Sequence, residues 1–455
     1  MGQDSTFGRT LLGDASDHPI SRRSLLRVAA LGAGAVAVGG SLSGCVGSLT
    51  TAAATGTLVR IWDLFSGSDG AIMQDMLNTS RQELPQYDIR SVTLAWGSPY
   101  YTKLAMASAG GRAPETAVMH LSRLIGYAPG GLLEPFDLDM LEQVGITESD
   151  FAPALWERAL YNDELYALPL DTHPFITLFN PAIAEPAGIL DANGKLAPIS
   201  TPDEFLDMGR KLAEVTGETG VAFGYLSDPA QAWRLFWGLY GQSGAEYSLV
   251  PGKKAELDDG VAVELLTFMQ TMLDGTVAAK NSDYGGAISS FVSGRAGLIL
   301  TGEWELRALR EAFPDVGGAP LPIMFGTEAA YADSHSYVLP RQLTPNPARR
   351  EATYEVLASI LKGAQTWATA GHIPAFQPVV ETPEYAALEP QADYAIAGRW
   401  AFLDPPTWFT GSGSDFQNRM CQAMSSTLQG LAPPAQAVDQ MISEMNLLLS
   451  MPSPA

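Results

Sequence analysis

The sequence predicts an α/β protein folded as two lobes, and three observations lead there. Between Thr57 and His120, short β-rich runs alternate with amphipathic stretches, the pattern of a parallel sheet with helices on both faces. The 455 residues exceed what one hydrophobic core usually organises. Yet the chain has no internal repeat and no polar linker long enough to part independent domains. The expectation is therefore two lobes between which the chain passes more than once. A hydrophobic content of 46% against 17% charged residues fits a folded chain rather than a disordered one.

The elements follow in order. Thr57–Trp62 reads as a strand that breaks at Asp63-Leu-Phe-Ser-Gly-Ser-Asp-Gly70, and Met73, Met76 and Leu77 mark the helix after it. Ile89–Trp96 is the second strand, Tyr101–Ala109 the second helix, and Ala117–Met119 a short third strand ending at His120. Thr201-Pro202-Asp203-Glu204 is a helix start: an N-cap, a proline at the first position and a capping-box glutamate. Val261–Leu273 is a further helix, and Gly297–Thr301 a buried strand before Gly302-Glu303-Trp304. Arg349–Leu361 and a closing helix with Val438, Met441, Met445 and Leu448 complete the list.

The first 45 residues read as an address. Ser-Arg-Arg-Ser-Leu-Leu-Arg at 21–27 precedes a mildly apolar run from Val28 to about Val38, too short for a stable span of about 30 Å of hydrocarbon. Arg22 and Arg23 followed by Leu25 and Leu26 resemble a twin-arginine signal, and Leu42-Ser43-Gly44-Cys45 resembles the bacterial lipobox, whose cysteine takes the lipid. Residues 1–45 are thus expected to be a lipoprotein signal, and 46–56 a flexible Ser/Thr/Ala/Gly-rich tether. Cys421 would be the remaining free thiol and reads as a small core residue.

Composition closes several routes. A formal charge of −23 argues against nucleic acid, whose phosphates need clustered Lys and Arg. Two cysteines supply neither a disulfide framework nor a cysteine-rich zinc site. His120, His173, His335 and His372 are separated by 53, 162 and 37 residues, with no short ligand spacing, so no metal and no cofactor are expected. Gly-x-Ser-x-Gly, His-Glu-x-x-His and phosphate-loop motifs do not occur. The many acids leave room for a paired-carboxylate glycosidase.

Several soft motifs together resemble the extracellular solute-binding proteins of carbohydrate ABC importers, the maltose-binding-protein-like family 1. They are Ser108-Ala-Gly-Gly-Arg-Ala-Pro-Glu115, Gly131-Leu-Leu-Glu-Pro-Phe-Asp137, Leu165-Tyr-Ala-Leu-Pro169 with Phe179-Asn180, Gly302-Glu303-Trp304 and Gly371-His-Ile-Pro374. Glu115 departs from the family's usual Asp, and Pro174 leaves the backbone after the first crossing open. The resemblance implies a periplasmic-binding-protein-like fold: two α/β lobes, a hinge and an interlobe ligand cleft. One lobe would hold 57–170 plus 334–368 and the other 171–333 plus 369–455. It also implies a non-catalytic, monomeric protein on the outer face of the membrane, held by Cys45, that hands a di- or oligosaccharide to the membrane subunits of an ABC permease.

Sugars present flat C–H faces and many hydroxyls, so their sites combine aromatic platforms with carboxylates, amides and imidazoles. In open α/β sheets the ligand lies beyond the carboxyl ends of the strands. Trp62, Asp63 and Phe65 follow the first strand, with core and cap roles as their alternatives. His120, Ser122 and Arg123 follow the third, in a loop that supplies polar contacts in the resembling family. Asp171 and His173 follow the first crossing, where the alternative is a hinge-stabilising pair. In the second lobe Tyr225 and one of Trp233 and Trp237, taken as Trp233, are candidates against a core stripe. Trp304 is the platform that motif and strand end both favour; Trp408 in its loop and His335 at the return crossing complete the set, with His372 open between ligand and structure. A secreted carbohydrate-active hydrolase, or a binding protein for a glycerophosphate-type solute, remains the alternative.

Overall fold

The computed structural model describes residues 56–453; the expected signal, Cys45 and all of the tether but Gly56 lie outside the described residues. The first strand, Thr57–Asp63, buries Val59, Ile61 and Asp63 and turns Trp62 the other way, as a period of two requires. It pairs in parallel with Tyr87–Thr93 along its whole length and with Thr116–His120 at its end. The connecting helices, Asp69–Glu83 and Ser98–Ala109, lay Ile72, Met73, Met76 and Leu77, then Tyr100, Tyr101 and Leu104, into the first core. The second strand stops at Thr93, short of Trp96, because Gly97 at a φ of 93° turns the chain into the helix. The return strand, His335–Pro340, then enters this sheet antiparallel to Thr116–His120 and to Ala167–Pro169. Glu115 accepts hydrogen bonds from the Arg60 backbone and guanidinium and from Arg349, tying the sheet to the helix Pro347–Lys362.

The second sheet is built around a crossing strand, Asp171–Phe179, buried along all of its length. Leu298–Gly302, Gly317–Pro320, Ala330–Asp333 and Ile373–Pro374 all pair antiparallel to it. Phe175 and Phe179 enter one core and Ile176 and Leu178 another, across opposite faces of the sheet. Burial on both faces removes the apolar–polar alternation that would have marked the strand in sequence. Pro174 lies inside it opposite Ala332, so the backbone left open there is extended.

The larger of these cores takes Trp233, Trp237 and Tyr240 from the helix Gln231–Ser243, and Val438, Met441 and Met445 from the helix Pro434–Leu449. Each such side chain contributes about 1.5–3 kcal/mol by leaving water. Thr201 caps its helix as expected, accepting from the Glu204 N–H at 3.2 Å, although Glu204 reaches the Ser200 N–H rather than that of Thr201. Cys421 is buried in the same core, and burial pushes its thiol up to about 12, which keeps it unreactive. The first core also draws Ala370, Ala375, Phe376 and Val379 from beyond residue 368.

Candidate functional site

Strand register assembles the site. His120 is the partner of His335 where the third and return strands meet. Asp333, two residues before His335, is the partner of His173 at the head of the crossing strand, and Ile373, next to His372, is the partner of Thr172. Four histidines scattered over the sequence thus meet where the chain passes between the lobes. The wide spacing that argued against such a cluster carries no weight once the strands pair.

Asp171 organises the group. Its carboxylate accepts from the His335 N–H at 2.8 Å, from Nδ1 of His335 at 2.8 Å and of His173 at 3.0 Å, and from the Trp367 indole at 2.8 Å. Burial pushes this carboxyl up, but His335 and His173 outweigh it and hold Asp171 well below the usual range. Burial drives His173 down to about 3 and His120 well below its ordinary value, so both rings are neutral. His372 is stacked on Trp367 at 4.2 Å, with Nδ1 3.1 Å from Asp171 and 3.0 Å from Glu303. Burial alone would lower His372; Asp171, Asp69 and Glu303 outweigh it and raise it well above its ordinary value. These contacts lie at ion-pair distance but outside hydrogen-bond alignment, and burial raises Glu303 to about 7.

Two motif glycines make this possible. A Cβ at Gly302 would stand 1.9 Å from the Trp304 ring, which folds back across it. Gly371 holds a φ of 117°, and a Cβ there would meet the Glu303 carbonyl at 2.3 Å. The close approach at Gly371 is what brings His372 against Glu303.

Above this floor lies a cavity of about 380 Å³, within the size of small-molecule sites. The side of the first sheet contributes Leu64, the turn Ser66–Asp69, Trp96, His120 and His335; the side of the second sheet contributes His173, Asp228, Arg234, Tyr284, Trp304 and Glu305. The Trp304 indole donates to Tyr284 Oη at 2.9 Å, which donates to Glu305 at 2.6 Å. The Arg234 guanidinium stands 4.7 Å over Trp304 and 5.7 Å from the Trp96 ring centre, and its Nε–H has no partner among the described residues.

Of the residues expected from sequence, His120, His173, His335 and Trp304 line this cavity. Asp171 and Phe65 lie beneath it, the Phe65 ring edge-on to His335 at 4.9 Å. The others are elsewhere. Trp62 points away because strand alternation sends Asp63 inward, and its ring faces Lys103 at 5.2 Å on the other face of the first sheet. Asp63 is buried and accepts from the Phe65 N–H in a tight turn. Ser122 donates to Asp333 and accepts from the Ser412 N–H, and Arg123 lies over Tyr101 and donates to the Thr410 carbonyl. Tyr225 is core, its hydroxyl on the Lys280 carbonyl. Trp233 is fully buried, stacked on Trp237 with its indole on Asp404. Trp408 packs against Phe409, away from the cavity lining.

Arg234, Trp96, Tyr284 and Glu305 were not singled out from sequence. Arg234 carried a usable signal: it is the one charged residue in the apolar run Ala232–Tyr240 of a helix buried on nearly every side, and a charge there needs a polar surrounding such as a cavity. Trp96 ends the run that reads as the second strand, which hides it as a loop residue.

Two α/β lobes, with a polar, aromatic-walled cavity at the crossings between them, define a binding protein that receives a small solute. The chain belongs to the bacterial extracellular solute-binding protein family, whose sequence profile matches residues 70–339. Members of this family bind solutes outside the cell and are not catalysts. A maltotriose-binding protein of Pyrococcus abyssi is 28% identical over 228 residues, 48% of this chain and 44% of that one; the chain thus spans under half the length of this relative. The fold matches the GacH receptor of Streptomyces glaucescens, solved unliganded and with acarbose, at a TM-score of 0.73 and 20% identity over 87% of this chain and 98% of that one. It also matches maltose-bound T. maritima MalE3 at 0.72 and 17%, over 86% and 100% respectively.

Proposed function

We propose that this protein is the solute-binding component of an ABC import system for a di- or oligosaccharide, closing its two lobes on the sugar and delivering it to the permease membrane subunits. The lobes are taken as 57–170 plus 334–368 and 171–333 plus 369–455. The observation that carries the reading is the cavity wall: Trp96 and Trp304 offer faces for sugar C–H surfaces, while Asp69, Asp228, Glu305, Arg234 and the imidazoles offer acceptors and donors for hydroxyls. The relatives that bind maltotriose, maltose and acarbose support the same class. Export by a twin-arginine-type signal and acylation at Cys45 belong to the proposal on the strength of Arg22, Arg23 and the Leu42–Cys45 box, and a monomeric state belongs to it only through the family resemblance. Among the described residues no helix is long and apolar enough to cross a membrane. Mass spectrometry of the exported protein tests the acylation.

A second reading, an anionic glycerophosphate-type solute, is favoured by Arg234 alone. The three carboxylates on the same wall oppose it. Titration of the purified protein with neutral sugars and sugar phosphates, followed by tryptophan fluorescence and calorimetry, separates the two. Tight binding of a neutral sugar recovered intact is the expected result. Cleavage of the sugar would move the protein to the hydrolases, and preference for the phosphate ester would sustain the second reading instead.

A further inference from the structure

We propose that His120, His173 and His335 form a binding site for a divalent first-row transition ion of the zinc class on the floor of the cleft. One nitrogen from each residue lies within 4.8 Å of the other two, and all three residues are buried and line the cavity. The rings pack against one another, with centroids 4.8 Å apart for His120 and His335, 5.3 Å for His120 and His173, and 4.1 Å for His173 and His335.

The orientation of the rings is what separates this cluster from ordinary packed histidines. Asp171 takes Nδ1 of both His173 and His335, and Tyr101 Oη lies 2.6 Å from Nδ1 of His120. In each ring the Nδ1 atom is therefore engaged, and among the described residues no protein group hydrogen-bonds to any of the three Nε2 atoms. An imidazole whose Nδ1–H is held by a carboxylate or another acceptor, with Nε2 free, is the arrangement that metal-ligating histidines adopt. Tyr101 Oη can accept from Nδ1–H of His120, which gives that ring the required tautomer.

Three nitrogen ligands at about 2.0–2.1 Å from one ion lie about 3.4 Å apart in a tetrahedral site, so the three nitrogens, now within 4.8 Å of one another, have to close in, and the stacked His173 and His335 rings have to tilt apart so that both point at the ion. Three imidazoles with no thiolate suit zinc, copper or nickel and do not suit calcium or magnesium. The fourth position faces the cavity, where a water or a solute hydroxyl completes the shell. The inference concerns the floor of the cleft and stands whether the solute is a neutral sugar or an anion.

The test is equilibrium dialysis of the purified protein, stripped with a chelator, against zinc chloride, followed by metal analysis. One equivalent of zinc is expected, with affinity at least about tenfold weaker in His120→Ala and in His335→Gln. Loading with cobalt should add the visible absorption of a tetrahedral nitrogen-ligated ion, and both variants should lose it. Where His335→Gln does not fold by circular dichroism, His120→Gln and His173→Gln take its place. Absence of a stoichiometric zinc site overturns the proposal. So does zinc binding that survives unchanged in folded His120 and His173 variants, because the ion is then held elsewhere. Sugar binding by the chelator-stripped protein, measured in parallel, keeps this result separate from that of the solute assignment.

Discussion

Tyr284 stands between Trp304 and Glu305, accepting the Trp304 indole N–H at 2.9 Å and donating to the Glu305 carboxylate at 2.6 Å. This relay fixes the Trp304 ring at the cavity wall, while Gly302 gives it the room to fold back. A ring held this way loses little freedom when a solute settles on it. Trp304→Ala should weaken solute binding at least about tenfold, as truncation of desolvated aromatic anchors does. Calorimetric titration checks it, and unchanged affinity would remove Trp304 from the site.

Arg234 lies in the cavity wall between Trp304 and Trp96, with its Nε–H uncommitted among the described residues. Arg234→Met keeps much of the packing and deletes the charge and the donors. The expected outcome is binding weakened by about tenfold or more with the thermal midpoint nearly unchanged. A large fall in the midpoint with retained affinity would make Arg234 a structural residue.

Asp171 accepts from four donors while fully buried. Asp171→Ala strands those buried donors, and should cost about 3–5 kcal/mol, the range for breaking a buried charge partnership from one side. Urea unfolding measures it. A loss below about 1 kcal/mol would show that the surrounding groups find other partners.

Glu303 ties stability to pH. Burial raises its carboxyl to about 7 from the 4.5 of the unfolded chain, so the folded state holds this proton more tightly. The contribution is present below about pH 4.5 and is lost as pH rises through about 7, at most roughly 3 kcal/mol. Glu303→Gln, which mimics the neutral form, should match the parent protein below about pH 4.5, gain on it as pH rises from there to about 7, and hold a constant lead above that. Denaturant unfolding across that range decides the matter, and a difference independent of pH would place the proton elsewhere.

Part of the fold was legible because some of its elements are local. Apolar residues at helical spacing from Met73 to Leu77, the β-rich run at Thr57 and the cap at Thr201 announce themselves over a few residues. The crossing strand did not, since polar Asp171, Thr172 and His173 and a proline at its head conceal a segment buried on both faces. Trp62 and Trp233 show the same limit for single side chains. A residue type suited to sugar is equally suited to a core, and only the direction of its Cα–Cβ bond decides between the two.

Sequence alone determined the α/β class, the acid excess that turns away nucleic acid, the family motifs and the aromatic residue Trp304 at a strand end. These follow from composition and short-range pattern. The tertiary structure alone decided that His120, His173, His335 and His372 meet around Asp171, and that Arg234 rather than Arg123 enters the cleft. Pairing between strands more than 150 residues apart sets that geometry, and register is a property of the assembled sheet that no local window of sequence contains.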